Sequence, residues 1–258
     1  MSGALVLMYH QIGEPLSAVE RRYCVRPQAF RAQMQWLVEA GYRPVSLAEV
    51  TAHLAGEQPL GDNAVHVTFD DGFVGVLEHA LPALKAHRVP ATLFALPGRT
   101  AVTNEWMVAR GFPRRALLAT QHLRVLAAEG VAIGSHSCTH ARLPEIPAEV
   151  AREEIGASKR LLEDELGQEV AHFAYPYGLV DAQVRELVIG AGYRSACSTR
   201  SGFNRSGEDP FMIRRIEITG TDEPWQFRQK VRHGTSRATR MQPFIYYAGR
   251  VAARLGRD

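Results

Sequence analysis

Cysteine is scarce: Cys24, Cys138 and Cys197 are the only three in 258 residues. An odd and scattered set excludes a scaffold stapled by disulfides and points to a reducing compartment. No apolar stretch reaches the ~20 residues that a membrane-spanning helix needs. Neither sign of charge dominates, with 30 Lys and Arg against 27 Asp and Glu and a net charge of +3, so global attraction to nucleic acid is not expected. Internal repeats and low-complexity segments are missing too, which removes solenoids and disordered polymers from consideration. Met1-Ser2-Gly3-Ala4 lacks a basic n-region and the first apolar run ends at Tyr9. The expectation is therefore a chain without a signal peptide, cytoplasmic or at the inner face of the membrane.

What is present is an ordinary globular balance, 46% apolar and 22% charged, in a chain long enough to bury one large core. Strand and helix signals alternate. Ala4 to Tyr9 is a short apolar run, and Phe30, Met34 and Leu37 recur at helical spacing between Pro27 and Gly41. Ser46 and Glu49 have capping-box spacing, in which each side chain satisfies the other's exposed backbone N–H. Strands are expected at Val65–Phe69, Ala91–Leu96, Val131–Ile133, Phe173–Tyr175, Ser195–Ser198 and Ile213–Ile218. Helices are expected at Leu117–Ala128, Ala148–Leu166 and Val184–Ala191. Arg200 to Pro210 is expected as a loop, and Arg99 to Arg110, with neither periodicity, as a lid-like insert. Seven or eight βα units fit this order. Such alternation implies a parallel sheet, and at this length an α/β fold with a distorted (β/α) barrel of seven or eight strands.

Residues 1–228 are expected to form that barrel, and 229–258 a basic tail. Lys230, Arg232, Arg237, Arg240, Arg250, Arg254 and Arg257 meet no acidic residue before Asp258, while Phe244, Tyr247, Val251 and Leu255 recur at near-helical spacing. Such a helix either docks on the barrel or lies on an anionic membrane surface.

Four short stretches carry the chemistry. Leu7-Met8-Tyr9-His10, Thr68-Phe69-Asp70-Asp71-Gly72, His136-Ser137-Cys138-Thr139-His140 and Phe173-Ala174-Tyr175-Pro176-Tyr177-Gly178 each follow a strand-like run. Each alone has a plainer reading, as a turn, a strand-end histidine or a structural histidine pair. Together they occupy the strand C-termini where barrel enzymes build their sites. Two histidines and one carboxylate meet the needs of zinc or a neighbouring divalent metal, and the second aspartate stays free to move protons.

Thr68-Phe69-Asp70-Asp71-Gly72 and His136-Ser137-Cys138-Thr139-His140 resemble the first two motifs of the polysaccharide deacetylase family, the NodB-homology or carbohydrate esterase family 4 group. The likeness extends more loosely from about Val6 to Phe227, through Pro90-Ala91-Thr92-Leu93-Phe94 and Arg215-Ile216. The resemblance implies Asp70 as general base, Asp71, His136 and His140 as ligands of a divalent metal, with zinc expected, and the Tyr177 N–H as oxyanion donor. It implies an enzyme that hydrolyses a carbon–nitrogen amide bond, with an N-acetylated sugar as partner.

Two departures stand out. The commonest members place the general acid in a Leu-x-His motif near the C-terminus, and none occurs here. Met8-Tyr9-His10 instead resembles the permuted exopolysaccharide deacetylase subgroup, which makes His10 the expected acid. The third motif has Ala174 where most members have the arginine that pairs with the base; Arg214 or Arg215 is the replacement, with Arg215 favoured by its place before Ile216. The acidic residue that orients the histidine is unplaced. Trp106, within Asn104-Glu105-Trp106-Met107, is a candidate sugar contact or a core cover, and Tyr175 and Pro176 are further candidates for substrate binding. A cyclic amide or imide hydrolase and an inactive carbohydrate-binding protein are the competing classes.

Overall fold

The computed structural model describes residues 3–61, 63–97 and 102–239. Strand β1 (Leu5–Tyr9) is buried at every position, the pattern of a parallel strand covered on both faces. Helix α1 (Pro27–Glu39) opens on Pro27, whose fixed φ suits a first helical turn. It turns Phe30, Met34 and Leu37 inward at three- and four-residue spacing. Helix α2 (Leu47–Leu54) begins with the Ser46–Glu49 capping box, both bonds of which form.

Strand β2 (Ala64–Phe69), helix α3 (Leu81–His87) and strand β3 (Ala91–Ala95) come next. Helix α4 (Thr120–Ala128) and strand β4 (Ala132–Ser135) precede helix α5 (Ala148–Leu166), which stops at Gly167 with φ 68°. Strand β5 (His172–Ala174), helix α6 (Ala182–Gly190), strand β6 (Ser195–Cys197), strand β7 (Ile216–Glu217) and helix α7 (Pro224–His233) complete the order.

The strands pair in parallel in the order β7-β1-β2-β3-β4-β5-β6, and a short strand at Arg43–Pro44 joins β2 beside this path. Ile213, just before β7, bridges Cys197 of β6. Its N–H donates to the Ala196 carbonyl at 3.0 Å and its carbonyl accepts from the Ser198 N–H at 2.8 Å. One segment thus meets both ends of the curled sheet, which makes it the distorted barrel expected from the alternation.

Register sets the site. Tyr9 lies opposite Phe69, so His10 and Asp70 leave adjoining strands at one level. Behind them Tyr9, Phe30 and Phe69 pack with ring centroids 5.1 to 5.7 Å apart, and the Tyr9 hydroxyl donates to Gln33 Oε1 at 2.9 Å.

Several expectations are corrected. The helix expected from Leu117 starts at Thr120, because Leu117 pairs with Phe73 and the Leu118 N–H bonds the Gly72 carbonyl at 2.8 Å. The strand expected over Ile213–Ile218 is continuous only at Ile216–Glu217. The insert contains a helical turn at Glu105–Val108. Asn104 gathers it: its Oδ1 accepts from the Arg115 N–H at 2.7 Å and its Nδ2 donates to the Pro113 carbonyl at 3.1 Å.

The boundary expected at 228 falls inside α7, whose Phe227, Lys230 and Val231 are all buried. Lys230 Nζ bonds Asp222 Oδ2 at 2.6 Å and the Glu217 carbonyl at 2.9 Å, so the helix is tied to the end of β7. The amphipathic pattern around Phe244 to Leu255 lies outside the described residues. Among those described, no helix is long and apolar enough to cross a membrane.

Candidate active site

Past Phe69 the chain turns sharply, because Asp71 (φ 74°) and Gly72 (φ 82°) are both left-handed. That turn sends two adjacent carboxylates in different directions. Asp70, anchored by its N–H to the Tyr9 carbonyl at 3.0 Å, meets Arg215. The guanidinium grips both carboxylate oxygens, Nη1 to Oδ1 at 2.6 Å and Nη2 to Oδ2 at 2.8 Å, while its Nε donates to the Ser198 carbonyl at 2.9 Å. Arg215 is fully buried and Asp70 nearly so. Burial pushes the Asp70 carboxyl up, but Arg215, with His136 and His10, outweighs it and holds the group below the usual carboxylate range. Arg214 turns outward toward Glu208 instead.

Asp71 faces the histidines. Its Oδ1 lies 3.5 Å from His136 Nε2 and 3.3 Å from His140 Nε2, is buried, and accepts no hydrogen bond. Burial again raises this carboxyl, and the close approach of His140, followed by the charges of His10 and His136, pulls it well below its ordinary value. His136 follows β4, and its Nδ1 sits 2.8 Å from the Ala174 carbonyl. A carbonyl only accepts, so Nδ1 carries the proton and Nε2 offers its lone pair. Burial pushes His136 down to about 4 against the pull of Asp70, so it is neutral near pH 7. Ligand atoms of Asp71, His136 and His140 lie within 4.8 Å of one another. An unsatisfied buried carboxylate oxygen between two imidazoles is a donor set that fits a divalent metal.

The loop carrying these histidines is held by α5. Glu154 accepts from the Cys138 N–H at 3.0 Å, the Thr139 N–H at 2.9 Å and the Thr139 hydroxyl at 2.9 Å. Ser137 (φ 66°) and His140 (φ 61°) are left-handed, as is Tyr177 (φ 59°). Of the six non-glycine residues with positive φ among those described, Asp71, Ser137, His140 and Tyr177 belong to the site, where such strain costs about 1–3 kcal/mol each and is retained for geometry. Gly178 next to Tyr177 is required: a Cβ there would stand 2.0 Å from Thr199 Oγ1.

A cleft of about 350 Å³ opens over this cluster, with Asp70, Asp71, His136 and His140 on its wall. His10 and Tyr177 also line it, with Tyr23, Trp106, Arg110, Phe112 and Glu217. His10 meets the edge of Tyr23 at 5.3 Å. Trp106 is half-buried and stacks on His140 with centroids 4.7 Å apart and planes 12° off parallel. Tyr175 contributes to the wall but is wholly buried, its hydroxyl bonded to the Phe211 carbonyl at 3.1 Å. Pro176 is buried and is not among the described residues lining the cleft. Both residues, expected as substrate contacts, follow the short β5 strand and are buried in the barrel wall.

Nothing in the sequence singles out Glu154 or Arg110. Both are ordinary charged residues whose meaning comes from what folds beside them.

A polysaccharide deacetylase family profile matches residues 57–196. The Staphylococcus epidermidis poly-beta-1,6-N-acetyl-D-glucosamine N-deacetylase is 27% identical over 240 residues, covering 84% of this chain and 80% of that protein. The Escherichia coli (strain K12) protein of the same name is 38% identical over 90 residues, 35% of this chain and only 13% of its own length. Among solved structures, IcaB from Ammonifex degensii superposes with a TM-score of 0.76 at 26% identity, over 90% of this chain and 97% of that one. The Streptococcus pyogenes deacetylase PplD, solved with acetate, gives 0.75 at 26% identity over 89% and 98%. With the family profile spanning more than half of the chain and the metal-type cluster at its centre, the chain belongs to the polysaccharide deacetylase family, whose members are hydrolases of N-acetyl amide bonds.

Proposed function

We propose that this chain removes acetyl from an N-acetylamino sugar in a glycan or its precursor, with zinc held by Asp71, His136 and His140. The observation that carries the reading is the division of labour between neighbours: Asp71 faces two histidines, while Asp70 is clamped by Arg215. This geometry supports ion binding by one carboxylate and proton transfer by the other. The names of the Staphylococcus epidermidis relative and of PplD support the acetyl group as the leaving acyl portion.

When bound, the ion supplies Lewis-acid polarisation of the acetyl carbonyl and makes a water acidic enough to attack at neutral pH. Asp70 takes the proton from that attacking water. Arg215 keeps Asp70 ionised before each turnover and fixes both of its oxygens, so the acceptor lone pair has one direction. The Tyr177 N–H donates to the oxyanion that forms as water adds to the carbonyl. His10, on the neighbouring strand end, protonates the sugar nitrogen as the carbon–nitrogen bond breaks. Acetate and the free amine leave, the proton received by Asp70 returns to solvent, and His10 takes up a proton again before the next turnover.

The test is acetate release from N-acetylglucosamine oligomers with added zinc or chelator. Release must require metal, and Asp70→Asn must lower kcat by about 100-fold or more while zinc remains bound. His10→Gln must impair amide cleavage far more than cleavage of an activated aryl acetate, whose leaving group needs no proton. No release across amino-sugar substrates, from protein that holds zinc, would overturn the reading.

A further inference from the structure

The two candidate histidine ligands are held in different ways. His136 is oriented by a hydrogen bond from Nδ1 to the Ala174 carbonyl, the usual arrangement for a metal-ligating imidazole. His140 has no such bond: its Nδ1 is buried without a hydrogen-bond partner. Its ring is surrounded by other rings instead. Tyr177 meets it edge-on at 4.4 Å and 79°, His136 at 4.8 Å and 70°, and Trp106 lies flat against it at 4.7 Å and 12°.

Of these three, only the indole lies parallel to the imidazole. Turning the imidazole about its Cβ–Cγ bond would drive a ring edge into the indole plane, so the stacked contact blocks the motion that a hydrogen bond blocks at His136. Trp106 arrives from outside the barrel wall, on the insert gathered by Asn104. Arg115 ties that insert to buried Glu20 through two bonds of 2.7 Å each. The insert behind the indole is therefore anchored to the barrel.

We propose that Trp106 is a positioning residue for the metal. It fixes the ring plane of His140, and through it the 102–118 insert sets how tightly the ion is held. The proposal rests on the assignment of Asp71, His136 and His140 as ligands. It gives Trp106 a task beyond forming a wall against sugar, and the two tasks have separable consequences.

Zinc affinity, measured by chelator competition on the full chain without substrate, is the primary readout. Trp106→Ala should weaken zinc at least about 10-fold, the lower end of the range for lost outer contacts to a ligand. Its metal-free melting temperature should stay close to the wild type. Activity at limiting zinc should fall and recover when zinc is raised. Trp106→Phe, which keeps a flat face, should restore most of the affinity. If Trp106→Ala does not fold, Trp106→Leu carries the same test, since it keeps bulk and loses the face.

Unchanged zinc affinity with a raised KM would overturn the proposal and leave Trp106 a substrate wall. Equal weakening in the Ala and Phe variants would overturn it as well, because stacking would then not be the cause. A wild-type protein that takes up no divalent ion would overturn the ligand assignment and this inference with it, an outcome distinct from a variant that binds as well as the wild type.

Discussion

A carboxylate buried as deeply as Asp70 persists in charged form chiefly because Arg215 meets both of its oxygens. Removing one partner of such a pair leaves an uncompensated charge in the core, at a cost of about 3–5 kcal/mol. Arg215→Met should lose stability of that order in urea unfolding at pH 7. Without the cation, burial dominates and the Asp70 carboxyl rises above its unfolded value. The variant's deficit should therefore shrink as pH falls and the carboxyl takes up a proton, while the acid limb of activity moves to higher pH. Asp70→Asn with Arg215→Met should recover part of the lost stability, and a double variant no better than Arg215→Met would contradict the pairing argument. The choice between Arg214 and Arg215 was only partly legible in the sequence. Both flank a strand, and the direction of each depends on Ile216 pairing with Leu7 and Ile213 bridging Cys197, contacts made with residues some 200 and 16 positions away.

Elements that follow a simple period were legible: α1, α2 and α5 announce themselves by apolar spacing, Ser46 with Glu49, and Gly167. Irregular segments were not, because hydrogen bonds to distant groups shape them. Asn104 folds the insert through Arg115 and Pro113, and no local pattern encodes that. The histidine loop is the same kind of case. Its residue types are visible in the sequence, while the glutamate that bends it sits on the following helix. Glu154 satisfies two loop N–H groups and the Thr139 hydroxyl, so Glu154→Ala should leave these donors to solvent and relax the left-handed turns at Ser137 and His140. A loss of about 1–3 kcal/mol in stability is expected, together with weaker zinc binding, both measurable by thermal unfolding and chelator competition. Glu154→Gln, which keeps an acceptor, should sit between the two. Full zinc affinity in Glu154→Ala would show that α5 does not hold the loop in its working shape.

The barrel carries a second buried polar layer in the strands below the cleft, and it governs how the whole molecule responds to acid. His66, in β2, has Nδ1 2.8 Å from the Val45 carbonyl and Nε2 2.9 Å from Thr92 Oγ1. His172, in β5, has Nδ1 2.8 Å from Ser195 Oγ, which also accepts from the Thr51 hydroxyl at 3.1 Å. Burial pushes both imidazoles down to about 4 from an ordinary value of 6.5. Between those limits the unfolded chain binds protons that the folded barrel refuses, so stability is full above pH 6.5, declines as pH falls, and levels off near pH 4. Each histidine contributes a loss on the order of 3 kcal/mol over that window. Asp70, whose carboxyl is lowered from 3.8, acts in a lower window: its contribution is present above that value and is lost only as pH drops further. The two effects separate experimentally in metal-free protein, where metal release does not add its own proton linkage. Urea unfolding at pH 7.0, 5.5 and 4.5 should show His66→Gln and His172→Gln with shallower decline than the wild type, by about one proton each. Parallel declines in all three proteins would mean that protonation of His66 and His172 is not what costs the barrel stability in acid.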